Sequence, residues 1–520
     1  MVDPFGDVKI RKLPDCGNYV TCPAMLKKEG KKWSQWLLLG LFLAIAYGPL
    51  FLHLDVQPLK NFDESFFGLR AYRLAHYGEY LYNYNQFPEG PSASNLKPPF
   101  FSMIQAGFFK VLGYNELALR LPVALTILAL LLGMLWIGNR HFESSAYGQY
   151  SALALLTTTG FINVHVTRTG DQDGVLAAMG FMALWCLYQY LQGERKNPRW
   201  MYGLAASLVA ATLTKSVAGL FFAPGMLVYV LYKRQFVALL KDKHFWFGVG
   251  AFTFCVAGYY LYREWDAPGF LQKLQKGELG GHYLKTRDGH LHPYLWYWDR
   301  MINLKYSYWF LPALFGLLVS YHPRFKKWRD WHTLLWMAWL SWMLVISSSQ
   351  TKLEWYDASL YPIMSMWVGL GLTLFYYGIR EFLKLEKGAW PYLMKVAFVL
   401  LFFAWPYKSI IQKVYEPKDN DYPGEYYGFL MDQTEKKFPD LKQYTLMFDG
   451  YSFHCLFYQL VYNQQKGYDI RRERKVVNLQ VGETAMLCQP QTISYLEENF
   501  VLEYLTGKKG CKLVKILRKK

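Results

Sequence analysis

Long apolar runs recur from Trp36 to about Ile411, and a run of roughly 20 apolar residues crosses a bilayer as a helix. That feature excludes a single soluble globule. Charged residues make up 18% of the 520-residue chain, below the roughly 25% usual for soluble proteins. Aromatic residues, at 18%, are spread along the chain and exclude a disordered one.

Eleven spans are expected, at about 34–53, 117–137, 146–165, 174–192, 200–214, 217–232, 245–263, 307–321, 332–349, 358–379 and 391–411. The first follows the basic patch Lys27, Lys28, Lys31 and Lys32 without a cleavage site, and reads as a signal anchor with a cytoplasmic N-terminus. Alternate loops then carry most of the cations: Arg140; Arg195, Lys196 and Arg199; Lys233, Arg234, Lys241 and Lys243; Arg324, Lys326, Lys327 and Arg329; Arg380, Lys384 and Lys387. The short opposite connections hold single cations, Arg168, Lys215 and Lys352. This is the positive-inside pattern. It accounts for much of the net charge of +18 and removes the case for nucleic-acid binding.

The expected organisation is a cytoplasmic tail (1–33), a transmembrane domain (34–412) with outer loops 54–116 and 264–306, and a periplasmic domain (413–520). Helical apolar spacing in NFDESFFGLRAYRLAHYGEY predicts a helix lying in the membrane interface, and Pro99–Leu112 a second amphipathic one. The tail alternates polar and apolar positions and reads as a small mixed α/β domain. Its cysteines, Cys455, Cys488 and Cys511, allow at most one internal disulfide. The seven cysteines show no metal-like spacing.

Five polar sites fall on the outer side: Asp63 and Glu64; Lys97 in Lys-Pro-Pro; Arg168, Asp171 and Asp173 in HVTRTGDQDGVL; Lys215; and Lys352. Each alone has a structural reading. Acids favour helix N-termini, lone lysines snorkel to headgroups, and an arginine with two acids makes an ion pair. Together they place carboxylates and cations on one face at headgroup depth, which suits a lipid-linked phosphate.

The motifs also resemble a known family. An Asp-Glu pair after the first span is followed in order by Lys-Pro-Pro, GYNELALRLP (113–122), RTGDQDGVL, Thr-Lys and KLEWYDASLYP. Over about Trp36–Leu374 this order resembles the GT-C glycosyltransferases of the aminoarabinose-transferase and protein O-mannosyltransferase kind. The resemblance implies a polytopic α-helical membrane protein of GT-C type, with about eleven transmembrane helices and a small soluble C-terminal domain. It implies an inverting transferase that takes sugar from a polyprenyl-phosphate donor at the periplasmic face of the inner membrane. The acceptor is an envelope glycolipid such as lipid A or, in the alternative, a protein; a lipid or sugar transporter is the more distant reading.

By the same resemblance Asp63, Glu64 and Asp173 are the catalytic candidates. Lys97, Arg168, Asp171, Lys215, Lys352, Tyr356 and Tyr361 are the substrate-binding ones. Some aminoarabinose transferases carry metal ligands beside the lysine of this motif. Here Asn95 and Leu96 precede Lys97, so no metal is assigned and no cofactor is committed, though a divalent metal stays open.

Overall fold

A computed structural model describes residues 32–79, 96–192, 197–277, 289–323, 326–385, 389–415, 423–448 and 452–520. Residues 1–31 of the expected cytoplasmic tail and the loop cations Arg195, Lys196, Arg324 and Lys387 lie outside the described residues.

The chain begins with α1 (Lys32–Phe51), α2 (Asp63–Tyr77), α3 (Phe100–Leu112), α4 (Glu116–Trp136) and α5 (Ser145–Leu156). It continues through α6 (Asp173–Gln192), α7 (Pro198–Lys215), α8 (Ala223–Tyr232), α9 (Phe236–Leu240), α10 (Lys243–Asp266) and α11 (Phe270–Leu274). After α12 (Trp296–Arg300) come α13 (Ser307–Ser320), α14 (Lys326–Ser348), α15 (Tyr361–Phe382) and α16 (Trp390–Tyr415). Among the described residues six helices, containing α4, α6, α7, α10, α15 and α16, are long and apolar enough to cross a membrane. Each expected span overlaps a helix. The span expected at 146–165 is different in kind, because α5 stops at Leu156 and 157–172 is irregular. The Thr157 and Thr158 hydroxyls turn back to carbonyls one helical turn earlier, which competes with helix continuation.

Small residues let the central helices approach closely. A Cβ on Gly316 of α13 would lie 1.9 Å from the Trp367 carbonyl oxygen, and one on Gly369 of α15 would lie 1.9 Å from Ser151 Oγ of α5. The α10 helix, in contrast, is almost wholly exposed, as a lipid-facing helix is.

The C-terminal domain contains α17 (Tyr427–Lys437), β1 (Gln443–Met447), α18 (Phe453–Lys466), β2 (Asp469–Glu473), β3 (Thr484–Leu487), α19 (Pro490–Asn499), β4 (Phe500–Lys508) and β5 (Cys511–Lys519). Its five-stranded sheet has the order β2-β1-β3-β5-β4, with β1 parallel to β2 and β3, and β5 antiparallel to β3 and β4. Cys488 and Cys511 form a buried disulfide across the β3–β5 pair.

The α2 helix, expected to lie in the membrane interface, covers its apolar face with protein. Its buried face packs on α3, and Phe67, Leu69 and Tyr72 are covered. Phe66 and Tyr72 meet Phe453 and Phe457 of α18. Its apolar stripe is thus shared between the membrane domain and the C-terminal domain.

Replacing Gly316 with Val forces α13 away from α15. Overpacking of this kind costs about 1–3 kcal/mol. The detergent-solubilised variant is expected to melt several degrees lower, and an unchanged melting curve would refute the close crossing.

Candidate active site

Glu64 is fully buried one residue into α2. Its Oε1 accepts from Arg120 Nε at 2.6 Å and the Gly170 N–H at 2.8 Å. Its Oε2 accepts from Arg120 Nη2 at 2.9 Å and the Lys60 N–H at 2.8 Å. Arg120, on α4, also donates to the carbonyls of Leu54, Gln57 and Pro58 at 2.6–2.9 Å. Burial pushes the Glu64 carboxyl up, but the guanidinium and the two amides outweigh it and hold the group below its usual range. With both oxygens occupied, Glu64 has no capacity left for a substrate proton. Its contacts tie the start of α2 to α4, the 53–62 loop and the 157–172 segment.

Asp63, its neighbour, is half-buried, and among the described residues no hydrogen bond occupies its carboxylate. The chain enters α2 through Phe62 at φ 65°, a strained conformation for a phenylalanine that the surrounding hydrogen bonds impose. Facing Asp63 are His165 and Asp171 of the 157–172 segment. The Asp171 carboxyl is raised by burial and by the charges of Asp63 and Glu64, partly offset by His165. Burial alone would keep His165 neutral, but the carboxylates of Asp171, Asp63 and Asp173 raise it to about 9.

Asp173 opens α6, and both its oxygens accept from Lys215 Nζ at 2.6 Å. That ammonium also sits 5.1 Å from the centre of the Tyr356 ring. Asp63, Asp171, Asp173, Lys215 and Tyr356 therefore form one neighbourhood, as expected.

Three expected members have other partners. Arg168 caps the end of α1, donating to the carbonyls of Pro49 at 3.1 Å and Leu52 at 2.5 Å. Burial, then the nearby Arg120, lowers it to about 10, so it is still a cation at neutral pH. Lys352 is buried, donates to the Ser349 carbonyl at 2.5 Å, and is lowered by that burial. Tyr361 is fully buried, donates to Asp357 at 2.8 Å and stacks on Tyr306. The same Asp357 pairs with Lys305 at 3.2 Å, so this network fixes the late loop against the core.

Lys97 is held through its main chain beside a second group of polar side chains. Its carbonyl accepts from Arg70 Nη2 at 2.7 Å and lies 3.4 Å from the Tyr259 hydroxyl. Arg263, at the end of α10, reaches the same hydroxyl at 3.4 Å. Arg70, Lys97 and Arg263 thus meet around Tyr259. Arg70 follows Asp63 by seven residues on α2. That spacing puts both on one helix face about 10 Å apart.

The C-terminal domain roofs this region. Glu425 accepts from the Asn61 N–H at 2.9 Å and from Lys60 Nζ at 3.0 Å. Tyr458 accepts from the Leu59 N–H and donates to Glu116. His454 Nδ1 lies 3.1 Å from Asn61 Oδ1.

The motif reading missed Arg70, Arg120, His165 and Arg263. Arg120 had a signal, being a lone arginine in an apolar span, where such a group is costly unless paired. His165 stands three residues before Arg168 in a quoted motif. Arg70 and Arg263 had none, because only the fold brings them to Lys97.

Residues 96–261, about a third of the chain, match the sequence profile of the family described as dolichyl-phosphate-mannose-protein mannosyltransferase. No curated protein matches the chain significantly by sequence. In structure it is similar to ArnT from Cupriavidus metallidurans solved with undecaprenyl phosphate. The TM-score is 0.66 at 16% identity, over 92% of this chain and 98% of that one. It is also similar to the oligosaccharyltransferase of Archaeoglobus fulgidus, with a TM-score of 0.57 at 12% identity over 82% of this chain and 64% of that one. The fold is that of ArnT, shared over nearly the whole of both chains.

Arg120→Ala leaves Glu64 buried without its cation, a change that typically costs about 3–5 kcal/mol. Loss of folded protein on size-exclusion chromatography is the expected outcome. Near-normal yield and melting temperature would show that the pair does not organise the loops.

Proposed function

We propose that this chain is an inverting glycosyltransferase that moves a sugar from a polyprenyl-phosphate donor to an envelope acceptor, foremost a glycolipid such as lipid A. The observation that carries this reading is the two-ended face of α2. An unoccupied carboxylate, Asp63, stands at one end, and Arg70, meeting Lys97 and Arg263, stands two turns away.

The donor phosphate binds among Lys97, Arg70 and Arg263, and the sugar points toward Asp63. The acceptor hydroxyl attacks C1 as its proton passes to Asp63. The new C1–O bond forms on the face opposite the breaking C1–O–phosphate bond, which inverts the anomeric centre. The cations stabilise the charge that grows on the departing phosphate. Lys215, held by Asp173 and Tyr356, provides positive charge at the sugar end. An apolar groove of about 460 Å³ along α10 and α11, lined by Phe252, Val256, Tyr260 and Leu271, suits the prenyl tail. Tyr260 in its wall lies 2.9 Å from Ser216, next to Lys215. The likeness to a protein solved with undecaprenyl phosphate supports the donor class.

The proposed sidedness is periplasmic for the site and the C-terminal domain, with a cytoplasmic N-terminus in the inner membrane. The Cys488–Cys511 disulfide supports it, because such bonds persist in oxidising compartments. The mannosyltransferase profile supports a second reading, a protein acceptor for the same chemistry. Mass spectrometry of envelope glycolipids and secreted proteins, with and without the gene, separates the two. No change in either would remove the transferase reading.

Asp63→Asn keeps the fold and loses the proton acceptor. Transfer in membranes supplied with lipid-linked sugar is expected to fall by about 10²–10⁴. Full activity would remove Asp63 from its role. Arg263→Ala is expected to raise the donor KM more than it lowers kcat, and an unchanged donor KM would place the phosphate elsewhere.

A further inference from the structure

The turn between β4 and β5 concentrates positive charge beside the loop that leads into α2. Lys508 and Lys509 are exposed there. Lys437, at the end of α17, is exposed alongside them, its Nζ 3.3 Å from Thr506 Oγ1 on β4. We propose that this hairpin tip is the docking surface for the acceptor, and that it binds a phosphate on the headgroup of an anionic glycolipid. The inference rests on the transferase reading for the role of the bound lipid, and it names the class of acceptor.

Charge is the first support. The hairpin is seated on α17 and on the 423–426 turn, and the acids of both are already matched. Lys436 pairs with Asp432, Lys466 with Glu435 and Lys60 with Glu425. Among the described residues no ion pair joins Lys437 or Lys508 to a carboxylate. A phosphate oxygen would give them charge-assisted hydrogen bonds, roughly twice as strong as neutral ones.

Preorganisation is the second. Lys509 and Gly510 both lie in the left-handed region, at φ 50° and 87°, between the paired residues Lys508 and Cys511. This is a tight two-residue hairpin turn, at whose first position asparagine, aspartate or glycine is usual. The chain carries a cation where backbone geometry disfavours lysine. Cys511 is tied to Cys488, which anchors the tip at its base. The ammonium groups are seated as well. Lys508 Nζ lies 4.1 Å from the centre of the Phe429 ring and Lys509 Nζ 5.3 Å from that of Tyr426. The two rings are themselves stacked, with centroids 6.1 Å apart. A ring face meets one side of an ammonium, which has three donors in all.

Location favours a lipid over a protein. Tyr426 directly follows Glu425, which accepts from Lys60 Nζ at 3.0 Å and from the Asn61 N–H at 2.9 Å. Both partners belong to the loop between α1 and α2, and Asn61 stands two residues ahead of Asp63. A lipid anchored in the bilayer offers its phosphate at this level, a constraint that an acidic polypeptide does not share. Docked by that phosphate, it brings its sugar hydroxyls toward the carboxylate that takes their proton.

The test uses full-length protein in neutral detergent micelles, with fluorescently labelled lipid A as the probe beside its dephosphorylated form. The parent is expected to bind the phosphorylated form roughly tenfold more tightly, the scale of two exposed charge pairs. The double variant Lys508→Ala, Lys509→Ala is expected to lose that preference. In transfer assays it is expected to raise the acceptor KM and to leave the donor KM and kcat unchanged. Should the double variant fail to fold, Lys508→Gln keeps the stem over Phe429, removes the charge and reads the same preference. The proposal is overturned if the parent binds both forms equally, or if a folded variant keeps the preference. It is also overturned if phosphatidylglycerol or polyglutamate displaces the probe as well as unlabelled lipid A does, since the tip is then a general anion surface. Phosphate-dependent binding that the variant abolishes, without sugar transfer by the parent to any acceptor, keeps the docking surface and removes the transferase reading. Undiminished transfer by the variant, with an unchanged acceptor KM, does the reverse.

Discussion

The buried pair of Glu64 and Arg120 is the constraint on which the rest of the site depends. Taking two charges out of water is expensive, and their mutual attraction offsets it only when the remaining donors and acceptors are also satisfied. Here they are. Glu64 accepts four hydrogen bonds, and Arg120 reaches three backbone carbonyls besides. The bonds come from α4 and from two irregular stretches, the 53–62 loop and the 157–172 segment. The pair thus joins a membrane helix to these irregular segments, and it fixes Asp63 by fixing its neighbour.

Most of the membrane helices were legible because a bilayer demands long apolar runs and the sequence pattern reports burial in lipid directly. The boundary of α5 was not, since Thr157–Thr158 reads as an ordinary continuation until its hydroxyls are seen to turn back on the helix. Nor was the setting of α2. Its apolar face carries the same spacing whether it meets lipid or α18, and only the folded C-terminal domain decides between them.

The site was legible in part for a similar reason. Sequence order places acids and bases on one side of the membrane, but not what each one touches. Asp63, Asp171, Asp173 and Lys215 do converge. Arg168 and Lys352 are drawn to backbone carbonyls at helix and loop ends, a local demand that residue type does not reveal. His165 stood at the end of an expected span with no signal of its own. Its importance arises from Trp355, nearly two hundred positions away, against which it is stacked.

The roles of adjacent residues on α2 follow from helical geometry. Asp63 and Glu64 are separated by about 100° around the axis, so they cannot share one environment. Glu64 turns to the protein interior, where Arg120 matches its charge. Asp63 turns to the space bounded by His165 and Asp171. The C-terminal domain holds this division in place. Glu425, His454 and Tyr458 bind residues 59–61 just ahead of the helix, so α2 cannot rotate without breaking contacts in the roof. A domain with its own sheet and disulfide thereby sets the orientation of a carboxylate in the membrane domain.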